Sequence, residues 1–209
     1  MCIRDRASLR HTEKSTPCHP RRGGGYLRIT GGTHSSRRLQ VPDLPDLRPA
    51  QDRVRAAVFS ALGALVPEAH ILDLFAGTGA YGLEALSRGA ASALFVEQEF
   101  RTAAALRQNI SSLQYDSPVI ESSVEAWLPR ATPASFDLIF LDPPYDKTGA
   151  ELSLWPVVQG LHLLLRPNGR IIWEHSRSSK WSPLTPIETV WHREYGRSSV
   201  SFLAHPVVR

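Results

Sequence analysis

Short apolar runs alternate with amphipathic stretches along most of this chain. Ile71-Leu72-Asp73-Leu74-Phe75, Ala93-Leu94-Phe95-Val96 and Phe136-Asp137-Leu138-Ile139-Phe140-Leu141 are nearly continuous apolar segments of strand length, the pattern of strands covered on both faces. After the first of them Tyr81, Leu83 and Leu86 recur at helical spacing. From His70 onward the pattern predicts strands near 70–75, 92–97, 117–121, 136–141 and 169–175, with helices near 80–88, 99–113, 123–129 and 150–165. Such alternation implies right-handed crossovers and a mostly parallel sheet with helices on both faces. The ending differs, because Glu188–Glu194 and Ser198–His205 are separated only by Tyr195-Gly196-Arg197, which predicts an antiparallel hairpin. The expected fold is α/β with seven strands.

Upstream of the sheet, Tyr26 to Val41 alternates as a small β-hairpin does, with Gly31-Gly32 and Ser35-Ser36 as bends and Arg28, Arg37 and Arg38 projecting. Pro42 to Pro49 is a proline-punctuated linker. A helix is expected from about Gln51, with Val54, Val58, Phe59, Leu62 and Leu65 on one face and Arg53 and Arg55 away from it. Residues 1–25 lack periodicity and read as disordered or as sequence outside the fold. The expected organisation is thus 1–25 outside the fold, a basic hairpin and linker over 26–50, and one domain over 51–209, since 209 residues suffice for one large core.

The formal net charge is +4, but residues 1–55 hold twelve of the 24 Lys and Arg against five acids. That asymmetry points the N-terminal part at a polyanion. Both cysteines, Cys2 and Cys18, precede the expected fold, and the eight histidines show no metal-ligand spacing, so neither disulfides nor a metal site is expected. No apolar stretch approaches the roughly 20 residues of a membrane span, and the start of the chain is charged where a signal peptide has its apolar centre. Cytoplasm is the default.

Two turns carry the chemistry. The first, Ala76-Gly77-Thr78-Gly79-Ala80-Tyr81-Gly82, joins a strand to a helix, so its backbone can approach a ligand closely. The same spacing occurs in dinucleotide-binding proteins. Asp73, however, would repel a pyrophosphate and attract the ammonium group of an amino acid. Glu97, ending the next strand, suits both hydroxyls of a ribose. The second turn is Asp142-Pro143-Pro144-Tyr145. Its prolines supply no N–H, so it presents acceptors suited to an exocyclic amino group, and the Tyr145 ring offers a face on which a base can stack. An adenosine-bearing cofactor with an amino-acid tail, S-adenosylmethionine, fits the pair of turns.

With these turns in place the chain resembles the class I, Rossmann-like methyltransferases that act on exocyclic amines. More closely, it resembles the RsmD family of bacterial 16S rRNA guanine-N2 methyltransferases. The closer resemblance rests on Arg28-Ile29-Thr30-Gly31-Gly32 with Arg37-Arg38-Leu39, and on Arg48-Pro49-Ala50-Gln51-Asp52-Arg53-Val54-Arg55, together with the two turns; it spans about residues 26 to 205. It implies a mostly parallel seven-stranded sheet with a C-terminal antiparallel hairpin, S-adenosylmethionine as cofactor and S-adenosylhomocysteine as product, and no metal. The residues implied for catalysis are Asp142, Pro143, Pro144 and Tyr145, and those for the cofactor are Asp73, Phe75, Ala76, Gly77, Thr78, Gly79, Glu97, Ser122 and Ser123. Arg28, Arg37, Arg38, Arg48, Arg53 and Arg55 are the candidates for contacts to 16S rRNA, free or within an assembling 30S subunit, by a monomer. Ala50, Ala56 and Ser36 stand where relatives usually carry Thr, Glu and Gly, so no role is carried over to them. Methylation of adenine N6 or cytosine N4, in RNA or DNA, is the alternative within the class. A nicotinamide-dependent oxidoreductase would leave the second turn and the arginines unexplained. A catalytically silent RNA-binding relative stands against the intact Asp142 turn.

Overall fold

A computed structural model describes residues 27–42, 49–143, 155–178 and 186–206. Its centre is one seven-stranded sheet: β1 His70–Leu74, β2 Ser92–Glu97, β3 Val119–Glu121, β4 Phe136–Leu141, β5 Leu165–Ser176, β6 Glu188–Tyr195 and β7 Ser198–Ala204. The order across the sheet is β3-β2-β1-β4-β5-β7-β6, parallel from β3 to β5 and antiparallel for β7 and β6. The central strands lie between two helical layers, which is why β1 and β4 are apolar on both faces rather than alternating.

One face is covered by α1 (Pro49–Leu62), α2 (Ala80–Ser87) and α3 (Phe100–Ser112), with Phe59, Leu83 and Leu106 packed on Ile71, Phe95 and Phe140. The other carries α4 (Val124–Trp127) and α5 (Trp155–Gly160), with Trp127, Val158, Leu161 and Leu164 packed on Leu72, Ile139 and Trp173. Helix starts follow local chemistry. Pro49 opens α1, where a missing N–H loses nothing; Glu99 caps α3 by accepting from the Thr102 amide, and Ser123 caps α4 by accepting from that of Ala126.

The N-terminal segment is a hairpin with a single antiparallel bridge, Arg28 to Arg38, and its turn places Gly32 and Ser36 at positive φ. Leu27, Ile29 and Leu39 enter the core of the first face, while Arg28, Arg37 and Arg38 are exposed. The hairpin sits on the ends of α2 and α3. Thr30 donates from both its amide and its hydroxyl to Glu84, the Thr33 amide donates to the Ser87 carbonyl, and Asn109 exchanges hydrogen bonds with the backbone of Gln40. A Cβ on Gly32 would lie 1.8 Å from the Ser87 oxygen, so only glycine permits this approach.

Two boundaries differ from expectation. The helix expected over 150–165 is described from Trp155, and it tightens to a 3-10 turn over Leu161–Leu164. The strand expected near 169–175 begins at Leu165, because Phe136 pairs with Leu165 before the ladder shifts register and resumes at Arg170. Asn168, at φ 67°, makes that excursion. Among the described residues, no helix is long and apolar enough to cross a membrane.

Candidate active site

β1 and β4 are neighbours at the point where strand order reverses, and their ends are level: Leu74 pairs with Leu141. The glycine turn after β1 and the Asp142 turn after β4 therefore leave the same edge of the sheet side by side, at the place where open α/β sheets bind ligands.

On the β1 side every acid is fixed by backbone N–H groups. Asp73 is buried and its Oδ2 accepts the Gly82 amide at 2.8 Å. Glu97 accepts the Gly77 amide at 2.8 Å and the Glu99 amide at 2.7 Å. The turn reaches this geometry through left-handed backbone at Phe75 (φ 55°), Gly77 (φ 56°) and Gly79 (φ 85°); for Phe75 that conformation costs about 1–2 kcal/mol. Nothing but the Phe75 carbonyl, at 3.9 Å, faces the missing Cβ of Gly77, so its backbone is open to a ligand. Gly79 and Gly82 are closed in: a Cβ would lie 2.4 Å from Leu106 at the first and 2.3 Å from the Phe95 ring at the second. Ala76 and Thr78 are buried within the turn, and the Thr78 carbonyl accepts from Asn109. Ser122 and Ser123 follow β3 beside Glu97, with the Ser122 amide donating to the Glu97 carbonyl at 3.1 Å. The Ser123 hydroxyl is already engaged as the α4 cap.

Burial is the largest influence on Asp73. Desolvation raises its pKa from 3.8 to about 8, against the lowering effect of the Gly82 amide, and the Glu97 charge raises it further. An enclosed carboxyl of this kind is neutral at pH 7 when alone and becomes a carboxylate beside a bound cation.

On the β4 side, Asp142 is partly exposed and Pro143 is buried. Desolvation raises the Asp142 carboxyl well above its ordinary range, Glu174 and Asp73 raise it further, and Arg55 opposes them. Its near neighbours are Glu174, late in β5, and Tyr81, in the first turn of α2, whose hydroxyl donates to Glu174 at 2.9 Å. The Tyr81 ring stacks on Phe140 with centroids 5.0 Å apart, and Phe59 closes the cluster at 5.5 Å from Phe140. Sequence periodicity reads Tyr81 as a core position and leaves Glu174 unremarked; the signal available for Glu174 is an acid directly after the apolar run Ile171-Ile172-Trp173. Pro144 and Tyr145 lie outside the described residues.

The arginine set divides. Arg28, Arg37, Arg38 and Arg53 are exposed, and Arg48 lies outside the described residues. Arg55 is a correction. It is 2% exposed, and its guanidinium pairs with Asp52 at 2.9 Å and Glu84 at 3.4 Å and donates to the Arg28 carbonyl, so it cannot reach a phosphate. It faces inward because Glu84, fully buried at the centre of α2, needs cations: Arg55 on one oxygen and Arg88, at 2.8 Å, on the other. Asp52, at the helix start beside Arg53, pairs instead with Arg55 and Arg28. Among the described residues, no group of three or more His, Cys, Asp or Glu is arranged to hold a metal ion.

This strand order, a glycine turn after β1, an acid ending β2 and an acidic turn after β4 define a class I methyltransferase. Over residues 27–204 the chain matches the family model described as Conserved hypothetical protein 95, and it belongs to that family, the RsmD family. It is 35% identical over 187 residues to Ribosomal RNA small subunit methyltransferase D of Escherichia coli K12, covering 86% of this chain and 89% of the relative. It is likewise 35% identical to the protein of that name from Haemophilus influenzae, over 85% of this chain and 92% of the other. A solved structure from Escherichia coli, described as a methyltransferase, superposes with a TM-score of 0.75 at 28% identity, over 87% of this chain and 98% of that one.

Proposed function

We propose that this protein transfers a methyl group from S-adenosylmethionine to the exocyclic N2 amino group of a guanine in 16S ribosomal RNA. The observation that carries the proposal is the level ending of β1 and β4, Leu74 against Leu141, which brings the glycine turn and the Asp142 turn to one edge. Membership of a family whose relatives are named for the small-subunit RNA supports the substrate.

The chain fits the cofactor at three points. The open side of Gly77 admits its amino-acid end, the enclosed Asp73 carboxyl suits an ammonium group, and Glu97 suits the ribose hydroxyls. Ser122 and Ser123, which follow β3 with the Ser122 amide on the Glu97 carbonyl, are the remaining candidates for the cofactor. When bound, the cofactor supplies a methyl carbon on a sulfonium, open to in-line displacement. The N2 lone pair of guanine is delocalised into the ring and attacks only once the nitrogen pyramidalises. Asp142 and the Pro143 carbonyl accept its two N–H groups and favour that change, while Pro144 shapes the turn and Tyr145 stacks on the base. Positioning of this kind is worth several kcal/mol of barrier. Positive charge moves to the base nitrogen as the bond forms, and Asp142 stabilises it and takes the proton.

The base must leave its stack first, which favours loops over duplex. Arg28, Arg37, Arg38, Arg48 and Arg53 supply the phosphate contacts, on 16S rRNA in an assembling 30S subunit, by a cytoplasmic monomer. The test is methyl transfer from labelled cofactor to naked 16S rRNA and to partly assembled small subunits of a strain lacking the enzyme, with nucleoside analysis of the product. N2-methylguanine is the expected product; N6-methyladenine, or no label in either substrate, overturns the proposal.

A further inference from the structure

Glu174 has no part in the chemistry described so far, yet the fold sets it beside the acid that does. β4 and β5 are parallel and in register through Phe140–Ile172 and Leu141–Trp173, so Asp142, the first residue past β4, follows level with Glu174 of β5. Side chains alternate along a strand. Phe140 and Ile172 both face the core beneath α1 and α2; Glu174, two residues on within β5, faces the same way, and Asp142, just past β4, interacts electrostatically with Glu174, Tyr81 and Arg55 on that side. Glu174 is buried to 7% exposure and Tyr81 to 8%, and the Tyr81 hydroxyl donates to one Glu174 oxygen at 2.9 Å. Its ring belongs to a three-ring cluster, with centroids 5.0 Å from Phe140 and 6.3 Å from Phe59, which restricts where the hydroxyl can go.

Resting on the function proposed above, we infer that Glu174 is a positioning residue: held through one oxygen by Tyr81, it shares a proton with Asp142 and sets the affinity of Asp142 for the proton that the base amino group gives up. A buried carboxyl and a half-buried one side by side resist ionising together, so one proton stays with the pair. In the reaction the carbon–sulfur bond breaks with its electron pair going to sulfur, and the nitrogen lone pair forms the new bond to carbon. One N–H bond then breaks with its pair left on nitrogen, and that proton passes to Asp142. The pair thus holds one proton before transfer and two after it, and returns one to water as product leaves. Among the described residues, the other groups that act on it are Asp73 on β1, itself acted on by Glu97 of β2, Arg55 on α1 and Tyr81 on α2. Of these only Arg55 is cationic, and Desolvation, Glu174 and Asp73 together outweigh it in raising Asp142.

The experiment is a pH titration of carboxyl carbon signals in the labelled full-length protein, without substrate, for the wild type, Glu174→Gln and Tyr81→Phe. Gln keeps the size and the hydrogen bond from Tyr81 while removing the charge, so the Asp142 carboxyl in E174Q is expected to bind its proton about tenfold or more weakly and titrate at lower pH. Tyr81→Phe removes the donor that steadies the negative charge, so the pair is expected to titrate at higher pH. The acid limb of the pH profile for single-turnover methyl transfer moves in the same two directions. Unchanged Asp142 titration in folded E174Q, or shifts of one sign in both variants, overturns the inference. Should E174Q not fold, the Y81F shift alone decides it, an unmoved or lowered titration counting against. Because the titration needs neither cofactor nor RNA, it stands apart from the methyl-transfer test: an inactive wild type refutes the proposed function, and an unmoved titration refutes the role of Glu174.

Discussion

The two sides of the candidate site hold their acids by different means. On the β1 side Asp73 and Glu97 are gripped by main-chain amides of Gly82, Gly77 and Glu99. On the β4 side Glu174 is held by a side-chain hydroxyl, and Asp142 is governed by desolvation and by its acidic neighbours. Amides of a turn are fixed in direction and cannot be lost by rotamer change, so the first half is built as a rigid anchor. Burial first, and then Glu174 and Asp73, raise the Asp142 carboxyl well above its ordinary range, so the second half is governed by charge rather than by a main-chain grip. The halves are therefore expected to fail differently, one to added volume and the other to altered charge.

The largest effect is expected from Arg55→Met. It removes the cation that faces Asp142 and Tyr81 and leaves buried Glu84 with fewer partners. Breaking such a network by removing one partner costs about 3–5 kcal/mol, measured as a shift in the urea unfolding midpoint. Gly82→Ala attacks the other half by volume. Its Cβ would sit 2.3 Å from the Phe95 ring and 3.1 Å from Asp73, an overpacking worth about 1–3 kcal/mol of stability, with weaker cofactor binding in calorimetry because the Asp73 grip is displaced. An equal loss from Gly160→Ala, where a Cβ meets nothing within 4 Å and the backbone is right-handed at φ -71°, would break the contrast.

A smaller effect separates the halves by pH. With its pKa raised to about 8, Asp73 is protonated in the empty site at pH 7, and a bound ammonium group expels that proton. Calorimetry of cofactor binding in buffers of different ionisation enthalpy is expected to show release of about one proton at pH 7 and little above pH 9. Affinity then rises with pH up to about 8 and levels off. For folding the sign is the reverse: the native carboxyl binds a proton that the unfolded one, at 3.8, has lost, so this group's contribution to stability falls as pH rises from about 4 to 8 and is flat beyond.

Much of this was legible in the sequence, for reasons that differ by residue. The strands of β1, β2 and β4 announce themselves because burial on both faces leaves unbroken apolar runs. The glycine turn and Asp142 were readable because their chemistry is local. Arg55 was not, since its direction is set by Glu84, twenty-nine positions away and unremarkable in its own helix. Tyr81 and Glu174 meet across ninety-three positions; Tyr81 fits an apolar periodicity that conceals its polar end, and the acid after Trp173 has nothing local to mark its partner. Pairings of that range are products of the strand order, which motif spacing does not encode.

The proposed site has an anchoring side at β1 and a reacting side at β4. Its most direct test is to measure cofactor affinity and single-turnover methyl transfer side by side in Asp73→Ala and Asp142→Ala. The expected result is a split: Asp73→Ala loses cofactor binding, whereas Asp142→Ala binds the cofactor within a few-fold of wild type and loses transfer by about 100- to 1,000-fold. Loss of cofactor binding in both variants, or full turnover in Asp142→Ala, contradicts it.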